Sequence, residues 1–287
     1  MADVLDLRTD YTTLLEACSG AELRQLLGRG GYGSVYSAQR DGEPLAVKIQ
    51  TLPEEGLLQF LNEAEITRIA SEGGFGPKLI LARNCPITDD TFLGTFVLEK
   101  YDTDLQKWWQ RYKDSASHVQ SLCESDLLAR IDRMHSYGIV HADLFPKNIL
   151  VKHDKDGYIT EATPSDFGLA VDLTDAKSLK EWKEFYPLKT MGEIMQNFYD
   201  FKWPVPIESL EIRSLDEPFM AALQNYCGIE PALKQEKRPR TVEGVEVTKK
   251  TKIDFGKPLR IRKSKGAAVG VVNVLNRFAM PGFPQGS

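Results

Sequence analysis

One short loop of the chain has residue types and spacing that could support catalysis. Residues 141–148, HADLFPKN, have the outline of a loop that holds a catalytic Asp143 and, five residues later, a metal-binding Asn148. Two residues usually found within this outline are missing, because Ala142 and Phe145 stand at their positions. The loop could be a working phosphotransfer site, an inactive relative of one, or a coincidence, and the elements around it must decide.

A glycine-rich segment nearer the N-terminus could bind phosphate groups. LGRGGYGSVY, residues 27–36, carries Gly28, Gly30 and Gly33 in the spacing GxGxxG. Glycines allow a backbone to fold closely over phosphates, where a Cβ atom would collide. The same spacing marks dinucleotide-binding folds or plain hairpins, but the dinucleotide form needs a helix directly after the glycines. Here VYSA continues as a strand, which argues against the dinucleotide form.

One lysine, Lys48, lies within the apolar strand sequence AVKI. A charge in such a place is costly unless a partner neutralises it, although a strand with one wetted face would also tolerate it. We expect the partner to be Glu63 on the following helix, because Ile66, three residues later, marks the inward helical face. Glu65 is the rival candidate.

The pattern of the chain changes from strands to helices along its length. Residues 23–51 predict three strands, residues 54–71 a helix, and TFLGTFVLEKY two more strand segments. Helices are then expected at 104–113, 121–137 and 178–200, with Ser121 or Ser125 as a cap of the second. A short strand pair is expected near 148–165, around a KDG turn.

Taken together, these segments resemble the eukaryotic-type protein kinase family. GRGGYGSV, AVKI, HADLFPKN and SDFG follow the order of the family's glycine-rich loop, lysine strand, catalytic loop and D-F-G motif. The resemblance implies an α+β, bilobal protein-kinase-like fold with a small β-rich N-lobe and a mainly helical, reduced C-lobe. We expect an N-terminal extension at 1–20, the N-lobe at 21–101, the C-lobe at 102–228 and a basic tail at 229–287.

The same resemblance implies roles for individual residues and implies ATP and Mg²⁺ (or Mn²⁺) as cofactors. Lys48 would hold the α- and β-phosphates and Glu63 would hold Lys48, Asp143 would accept or orient the substrate hydroxyl, and Asn148 and Asp166 would bind the metal. Residues implied in ATP binding, through the glycine loop, the adenine pocket, the hinge backbone and the ribose, are Leu27, Gly28, Gly30, Gly31, Gly33, Val35, Ala46, Lys48, Glu99, Tyr101, Asp104 and Leu150.

The departures from the family pattern point to altered regulation. Ala142 replaces an arginine that normally meets a phosphorylated activation segment, so activation through that pairing is not expected. Phe145 replaces a lysine, and Lys147 could supply the positive charge near the γ-phosphate instead. No A-P-E motif follows SDFG, as in compact viral, bacterial-effector or RIO-like atypical kinases. We therefore expect a constitutively active serine/threonine kinase acting on proteins.

Two other functions fit part of the pattern. Small-molecule phosphotransferases resembling aminoglycoside or choline kinases share an H-x-D-x-x-x-x-N loop and often lack the arginine. A pseudokinase that acts only as a binding module is the second alternative. The intact glycine loop and D-F-G count against the first, and the presence of Lys48, Glu63, Asp143, Asn148 and Asp166 counts against the second.

Composition and charge set the remaining expectations. Of the 287 residues, the last 59 hold 13 Lys plus Arg against 5 Asp plus Glu, so this basic tail has a net charge of +8. The net charge of the whole chain is −5. Such a tail could contact nucleic acid or an acidic partner. A second Asp-Phe-Gly, at Asp254, is interpreted as coincidence. With no secretory signal or membrane span expected, and Cys18, Cys85, Cys123 and Cys227 far apart, we expect reduced thiols in a cytoplasmic or nuclear protein.

Overall fold

The computed structural model describes residues 6–30, 33–88, 90–199, 206 and 209–229, and these fall into two compact units. The strand unit comprises the described residues up to 64 together with 78–100. The helical unit comprises 65–77 and the described residues from 101 to 229. The expected α+β class is confirmed, because one unit is built on a sheet and the other is mainly helical.

The strand unit contains a five-stranded antiparallel sheet in the order β1-β2-β3-β5-β4. Two helices accompany the sheet: α1 covers Asp6–Ser19 and α2 covers Leu57–Gly73, of which residues 57–64 belong to this unit. The strands are β1 (Glu22–Gly30), β2 (Gly33–Arg40), β3 (Glu43–Pro53), β4 (Leu79–Pro86) and β5 (Thr91–Glu99).

The two helices pack on opposite faces of this sheet. Leu15 of α1 joins a core with Val47 and Val97, whereas Phe60 of α2 packs against Phe96 at a ring separation of 4.9 Å. Because side chains alternate along a strand, the neighbours Val47 and Lys48 must point to different faces. Lys48 therefore lies on the face that α2 covers.

The helical unit combines six helices with short strands. The helices are α3 (Leu105–Tyr112), α4 (Ala116–Glu124), α5 (Leu127–Ser136), α6 (Ala176–Phe185), α7 (Leu188–Tyr199) and α8 (Glu217–Tyr226). The strands are β6 (Thr103–Asp104), β7 (Ile139–Val140), β8 (Ile149–His153), β9 (Ile159–Pro164) and β10 (Val171–Asp172), with pairings β6-β8-β9 and β10-β7. The β8–β9 hairpin is the strand pair that the sequence predicts.

The hairpin is fixed to the helices at its tip. Trp108 of α3 is buried and its indole nitrogen donates to the Gly157 carbonyl at 2.8 Å. Gly157 has φ +96°, and an added Cβ would collide with the Tyr112 ring. Only glycine fits there, which fixes the register of the hairpin and with it the loop that precedes β8.

Several boundaries differ from the sequence predictions. The expected helix at 178–200 is two helices, α6 and α7, because Pro187 interrupts the helical hydrogen bonding. The expected helix at 121–137 is likewise two helices, and neither Ser121 nor Ser125 caps its start. The Ser121 hydroxyl instead accepts from the Ile159 amide at 3.0 Å. Residues 91–99 of the segment TFLGTFVLEKY form the single strand β5, and β4 was not predicted.

The expectation of reduced thiols is wrong. Cys18 pairs with Cys85 within the strand unit, and Cys123 pairs with Cys227 within the helical unit, so all four cysteines form disulfides. The spacing of the cysteines did not indicate these pairs, because the partners are 67 and 104 residues apart. Disulfides are uncommon in reducing compartments, so the expected cytoplasmic or nuclear location stays a prediction without its cysteine argument.

Some expectations concern residues near the two ends of the chain or outside the described ranges. Gly31 and Asp254 lie outside the described residues, as does the basic tail from residue 230 onward. Residues 6–19 of the expected N-terminal extension form α1, whose Leu15 and Cys18 are buried in the strand unit. Among the described residues, no helix combines the length and apolar character that a membrane span requires.

Candidate active site

The glycine segment forms the end of the β1–β2 hairpin. Gly30 of β1 is paired with Gly33 of β2, and open space surrounds the positions where Gly28 and Gly30 would carry a Cβ atom. Gly33 has φ +131°, and a Cβ there would collide with the Ile49 carbonyl oxygen of β3. The backbone can therefore approach a ligand at Gly28 and Gly30, while Gly33 is required by the packing of β2 on β3.

Lys48 and Glu63 form the ion pair that the sequence predicts. Lys48 Nζ donates to Glu63 Oε1 at 2.6 Å, and the two side chains are only 11% and 6% exposed. The rival Glu65 is half-exposed and instead bonds Arg68 on its own helix. Burial of an ion pair is favourable only with good geometry and further hydrogen bonds. Glu63 accepts one further hydrogen bond besides that from Lys48.

That further hydrogen bond comes from Gln50, a residue that sequence reasoning missed. Gln50 Nε2 donates to Glu63 Oε2 at 3.0 Å, and Gln50 is itself buried. Lys48 and Gln50 are two residues apart on β3, so they share one face of the strand. The signal was present, since a buried glutamine beside a buried lysine needs an acceptor. Each oxygen of the Glu63 carboxylate thus has its own donor.

Two of the residues expected around adenine share a sheet face with Lys48. Val35 of β2 pairs directly with Lys48, and Ala46 lies two residues before Lys48 on β3, so all three occupy one face of the sheet. Leu27 is 40% exposed on β1. Glu99 ends β5, and its amide donates to the Lys78 carbonyl at 2.9 Å, so its expected hinge contact with adenine stays a prediction.

In the helical unit, the catalytic loop runs from β7 to β8. Asn148 Nδ2 donates to Asp143 Oδ2 at 2.7 Å and to the Asp143 carbonyl at 2.8 Å. The Phe145 amide donates to the same carbonyl at 2.9 Å. These bonds close the loop on itself, so the predicted pair of Asp143 and Asn148 is in contact.

Asp166 is brought to this loop by the hairpin. Ile149 pairs with Pro164, and the Ser165 amide donates to the Asn148 carbonyl at 2.8 Å, directly before Asp166. Asp166 takes the left-handed conformation, with φ 62° and ψ 66°. The two expected metal ligands, Asn148 and Asp166, are thus adjacent in the fold, as the KDG hairpin predicts.

A buried aspartate far along the chain anchors the start of the loop. Asp216, 1% exposed, accepts from the amides of His141 and Ala142 at 2.9 and 3.0 Å and bonds His135 Nε2 at 2.9 Å. Burial raises the pKa of Asp216, but its bond with His135 and the charges of His135 and His141 outweigh burial, so the pKa lies below its ordinary value. Sequence reasoning missed Asp216 because its partners are 74 to 81 residues away.

The loop residues His141 and Ala142 are held for different reasons. His141 is buried and Nε2 bonds the Ser165 carbonyl at 2.9 Å, which agrees with the structural role expected for it. Ala142 has φ 60°, a left-handed conformation that costs an alanine about 1 kcal/mol. The Asp216 carboxylate offsets that cost by accepting the Ala142 amide.

The electrostatics of Asp143 are set by burial and by its neighbours. Burial raises the pKa of the Asp143 carboxyl above its ordinary value, whereas Lys147, His141 and the Asn148 hydrogen bond oppose the rise. Lys147 Nζ lies 3.7 Å from Asp143 Oδ2 and its side chain is 57% exposed. The cation of Lys147 therefore stands beside the carboxylate in solvent, where a phosphate could reach it.

Three further expected ATP contacts belong to the helical unit. Tyr101 is buried, and its hydroxyl donates to Glu161 at 2.8 Å. Asp104 accepts from the Lys107 amide at 2.9 Å as the cap of α3 and pairs with Lys107 Nζ at 2.7 Å. Leu150 of β8 pairs with Asp104 of β6. The ribose role of Asp104 stays a prediction, since its carboxylate already serves the helix.

Comparisons with known proteins point to one family. A profile described as the protein kinase domain matches residues 21–186. Serine/threonine-protein kinase PknH of Mycobacterium bovis is 27% identical over 177 residues, which cover 58% of this chain and 28% of that protein.

Relatives from eukaryotes show the same likeness. Mitogen-activated protein kinase kinase kinase 3 of Arabidopsis thaliana is 35% identical over 152 residues, covering 51% of this chain and 25% of that protein. Serine/threonine-protein kinase mos of Apteryx australis is 29% identical over 178 residues, covering 54% and 85%. The matches span about a quarter of the mycobacterial and plant proteins. Because the kinase profile covers more than half of the chain, the chain belongs to the protein kinase family.

Proposed function

We propose that the protein is an ATP-dependent kinase that transfers the γ-phosphate to Ser or Thr hydroxyls of protein substrates. The observation that carries the proposal is the 2.7 Å hydrogen bond that fixes the Asp143 carboxylate against Asn148. Phosphoryl transfer needs a positioned hydroxyl, positioned phosphates and a divalent cation more than it needs covalent catalysis. The names of the relatives from Mycobacterium bovis and Apteryx australis support Ser/Thr specificity.

In this proposal, Asp143 receives or orients the proton of the substrate hydroxyl. Its carboxylate is partly buried, with a side chain 16% exposed, so it can contact a substrate while its position stays fixed. Lys147 would place a positive charge near the transferred phosphate, in place of the lysine that Phe145 replaces. The exposed ammonium is free to move toward a phosphate because its bond to Asp143 is long.

The residues present fit Mg²⁺ or Mn²⁺. The Asn148 amide nitrogen is committed to Asp143, so its side-chain carbonyl oxygen is the atom that would bind the metal. Asp166 would add a carboxylate oxygen, and hard oxygen donors are the ligands that these cations prefer. Within the described part of the chain, no three His, Cys, Asp or Glu residues cluster into a full metal cage. The remaining ligands would be phosphate oxygens and water.

The residues of the strand unit also fit ATP. Gly28 and Gly30 leave room for a close approach of phosphates to the backbone. Lys48 would hold the α- and β-phosphates, with Glu63 keeping its ammonium group in place. Val35 and Ala46 would cover the adenine ring, since they share the sheet face of Lys48. Bound Mg-ATP would supply the phosphoryl group.

Constitutive activity is part of the proposal. The Lys48–Glu63 pair is formed, and Ala142 stands where the residue through which an activation-segment phosphate would act is usual. Phosphatase treatment should leave the activity of the purified protein unchanged. An enzyme that loses activity on such treatment would contradict this part of the proposal.

The experiment is a Mg²⁺-dependent phosphotransfer assay on a generic basic protein. Wild type should transfer phosphate from ATP, and Asp143→Ala should reduce the rate by about 10²- to 10⁴-fold, as loss of a positioned general base does. Asp156→Ala, an exposed aspartate in the hairpin turn, is the matched control and should retain activity. A wild type that binds no Mg-ATP and transfers no phosphate would overturn the proposal, and phosphorylation of an aminoglycoside or choline alone would redirect it.

We also propose that the basic tail, residues 229–287, contacts nucleic acid or an acidic partner. Its net charge of +8 supports this, because clustered lysine and arginine attract polyanions. Removal of these residues should abolish binding to a nucleic acid whose affinity falls steeply with salt. Unchanged binding after removal would exclude a role of the tail.

A further inference from the structure

We propose that Tyr199 is a positioning residue for Asp143 and that it acts through the catalytic loop from the end of α7. The inference rests on the proposed function, since it assigns Tyr199 a part in the reaction that Asp143 would assist. Tyr199 does not itself contact the reacting atoms. It holds the two residues that follow Asp143, Leu144 and Phe145.

Tyr199 holds the loop through both its hydroxyl and its ring. The hydroxyl donates to the Leu144 carbonyl at 2.8 Å, one residue after Asp143. The ring stacks on Phe145, with centroids 5.5 Å apart and planes 7° from parallel. The hydrogen bond fixes the peptide next to Asp143 and the stacking fixes the following side chain, so the loop cannot shift without breaking both.

Phe145 has a structural use that explains its presence at a position where a lysine is usual. It is only 4% exposed and packs edge-on against Phe198 at 4.3 Å, in addition to the Tyr199 stack. Its amide and carbonyl also bond within the loop, to the Asp143 carbonyl at 2.9 Å and from the Asn148 amide at 2.8 Å. The ring of Phe145 thus ties α7 to the turn that separates Asp143 from Asn148.

The Tyr199 hydroxyl stays a donor under all ordinary conditions. Burial raises its pKa far above the ordinary value for tyrosine, and the negative charges of Asp143 and Asp216 add to that rise. The Leu144 carbonyl accepts a hydrogen bond from this hydroxyl, and the neutral phenol adds no charge to the loop. The geometry of the bond is therefore independent of pH in the range where the enzyme would work.

The loop needs such support because its start is unfavourable. Ala142 is left-handed, at φ 60°, and Asp216 secures only the amides of His141 and Ala142 on that side. Tyr199 secures the other side of Asp143, at Leu144. The buried Asp216 and the partly buried Tyr199, from distant parts of the chain, thus flank Asp143 along the backbone. A displacement of about 1 Å in a reacting group can cost about 100-fold in rate.

A purely structural role for Tyr199 makes a different prediction. Tyr199 also packs against the main core of the helical unit, so its complete removal would lower stability whatever its role in catalysis. Tyr199→Phe keeps the ring and its stacking and removes only the hydrogen bond to Leu144. A core residue would tolerate this change, whereas a positioning residue would not.

The test compares Tyr199→Phe with wild type in steady-state kinetics and hydrogen exchange. We expect kcat to fall about three- to tenfold, which corresponds to one neutral hydrogen bond, with KM for ATP unchanged. Amide exchange should become faster at Phe145 and Asn148, whose bonds close the loop. Tyr226→Phe, an exposed tyrosine that packs on Trp109 at the end of α8, is the matched control and should alter neither.

The outcomes separate this inference from the proposed function. Wild-type kcat together with wild-type exchange at Phe145 and Asn148 in Tyr199→Phe would overturn the inference and leave the kinase proposal intact. If the wild type transfers no phosphate, the kinase proposal fails, and the exchange measurement still reports whether Tyr199 holds the loop. A fall in kcat accompanied by a rise in KM for ATP would also contradict a role through Asp143.

Discussion

Glu63 and Asp216 are buried carboxylates, one in each unit, and they are held by different kinds of partner. Glu63 accepts from two side chains of β3, Lys48 and Gln50, at 2.6 and 3.0 Å. Asp216 accepts from two backbone amides, those of His141 and Ala142, and bonds the His135 ring. The first carboxylate places a side chain that would meet the nucleotide, and the second places the backbone of a loop.

The difference decides what the sequence can reveal. Side-chain partners on a strand and a helix follow the periods of those elements, and the pairing of Lys48 with Glu63 could be predicted from the inward position of Ile66. Backbone amides are common to all residues and have no signature in the sequence. Asp216 therefore could not be identified, although it makes three hydrogen bonds of 2.9 to 3.0 Å.

The largest expected effect comes from removing Asp216. Asp216→Ala leaves two buried amides and His135 without their acceptor, and we expect the free energy of unfolding to fall by at least about 4 kcal/mol. Glu63→Ala should cost about half as much, because Lys48 can turn to solvent whereas a backbone amide cannot move. Denaturant unfolding of both variants measures the difference.

Hydrogen exchange provides the local control for this comparison. In Asp216→Ala the amides of His141 and Ala142 should lose protection, while those of β3 keep it. Asp216→Asn, which keeps the shape and one acceptor, should fall between the alanine variant and wild type. An equal or larger loss of stability in Glu63→Ala would show that side chains and backbone are equivalent partners here.

A second comparison sets a buried lysine against an exposed one. Lys48→Met leaves Glu63 buried with only part of its hydrogen bonding, and should lower the free energy of unfolding by about 3 kcal/mol. The Lys147 side chain is 57% exposed and its ammonium lies 3.7 Å from the Asp143 carboxylate. Lys147→Met breaks this pair and should lower the free energy of unfolding by less than about 1 kcal/mol. Calorimetric unfolding without nucleotide separates these effects from catalysis. Similar losses in the two variants would contradict the importance of burial.

Gln50 gives a smaller and sharper test of the Glu63 site. Gln50→Leu keeps the size of the side chain and removes the bond to Glu63 Oε2, so stability should fall by about 1 to 2 kcal/mol. Gln39→Leu on the neighbouring strand β2 is the matched control, since the Gln39 side chain accepts its hydrogen bond from the exposed Arg24. If Glu63 is held by Lys48 alone, the two variants will unfold alike.

The smallest effect concerns the pH dependence of activity. Asp143 must be ionised to accept a proton, and burial raises its pKa, so kcat should rise with pH through a value above that of an ordinary aspartate. Because Lys147 lowers the pKa of Asp143, Lys147→Met should move this acidic limb to still higher pH. The kcat–pH profiles of wild type and variant test this. A limb that moves to lower pH would mean that another group controls it.

Whether the other features could be predicted depended on how local their signals in the sequence are. The β8–β9 hairpin could be predicted because KDG is a local turn signal, and the glycine loop because the strand after Gly33 argues against the dinucleotide-binding form of the same spacing. Strand β4 was missed because Arg83 and Asn84 interrupt its apolar residues. The break between α6 and α7 could have been predicted from Pro187, whose effect on a helix is local.

The two disulfides divide the chain into covalent rings. The ring closed by Cys18 and Cys85 encloses the glycine segment, Lys48 and Glu63, and the ring closed by Cys123 and Cys227 encloses 141–150 and Asp166. The expected hinge residues lie on the open segment between the rings. A protease that cuts once inside a ring therefore releases no fragment until the disulfide is reduced, whereas a cut between residues 86 and 122 leaves the two rings without a covalent connection.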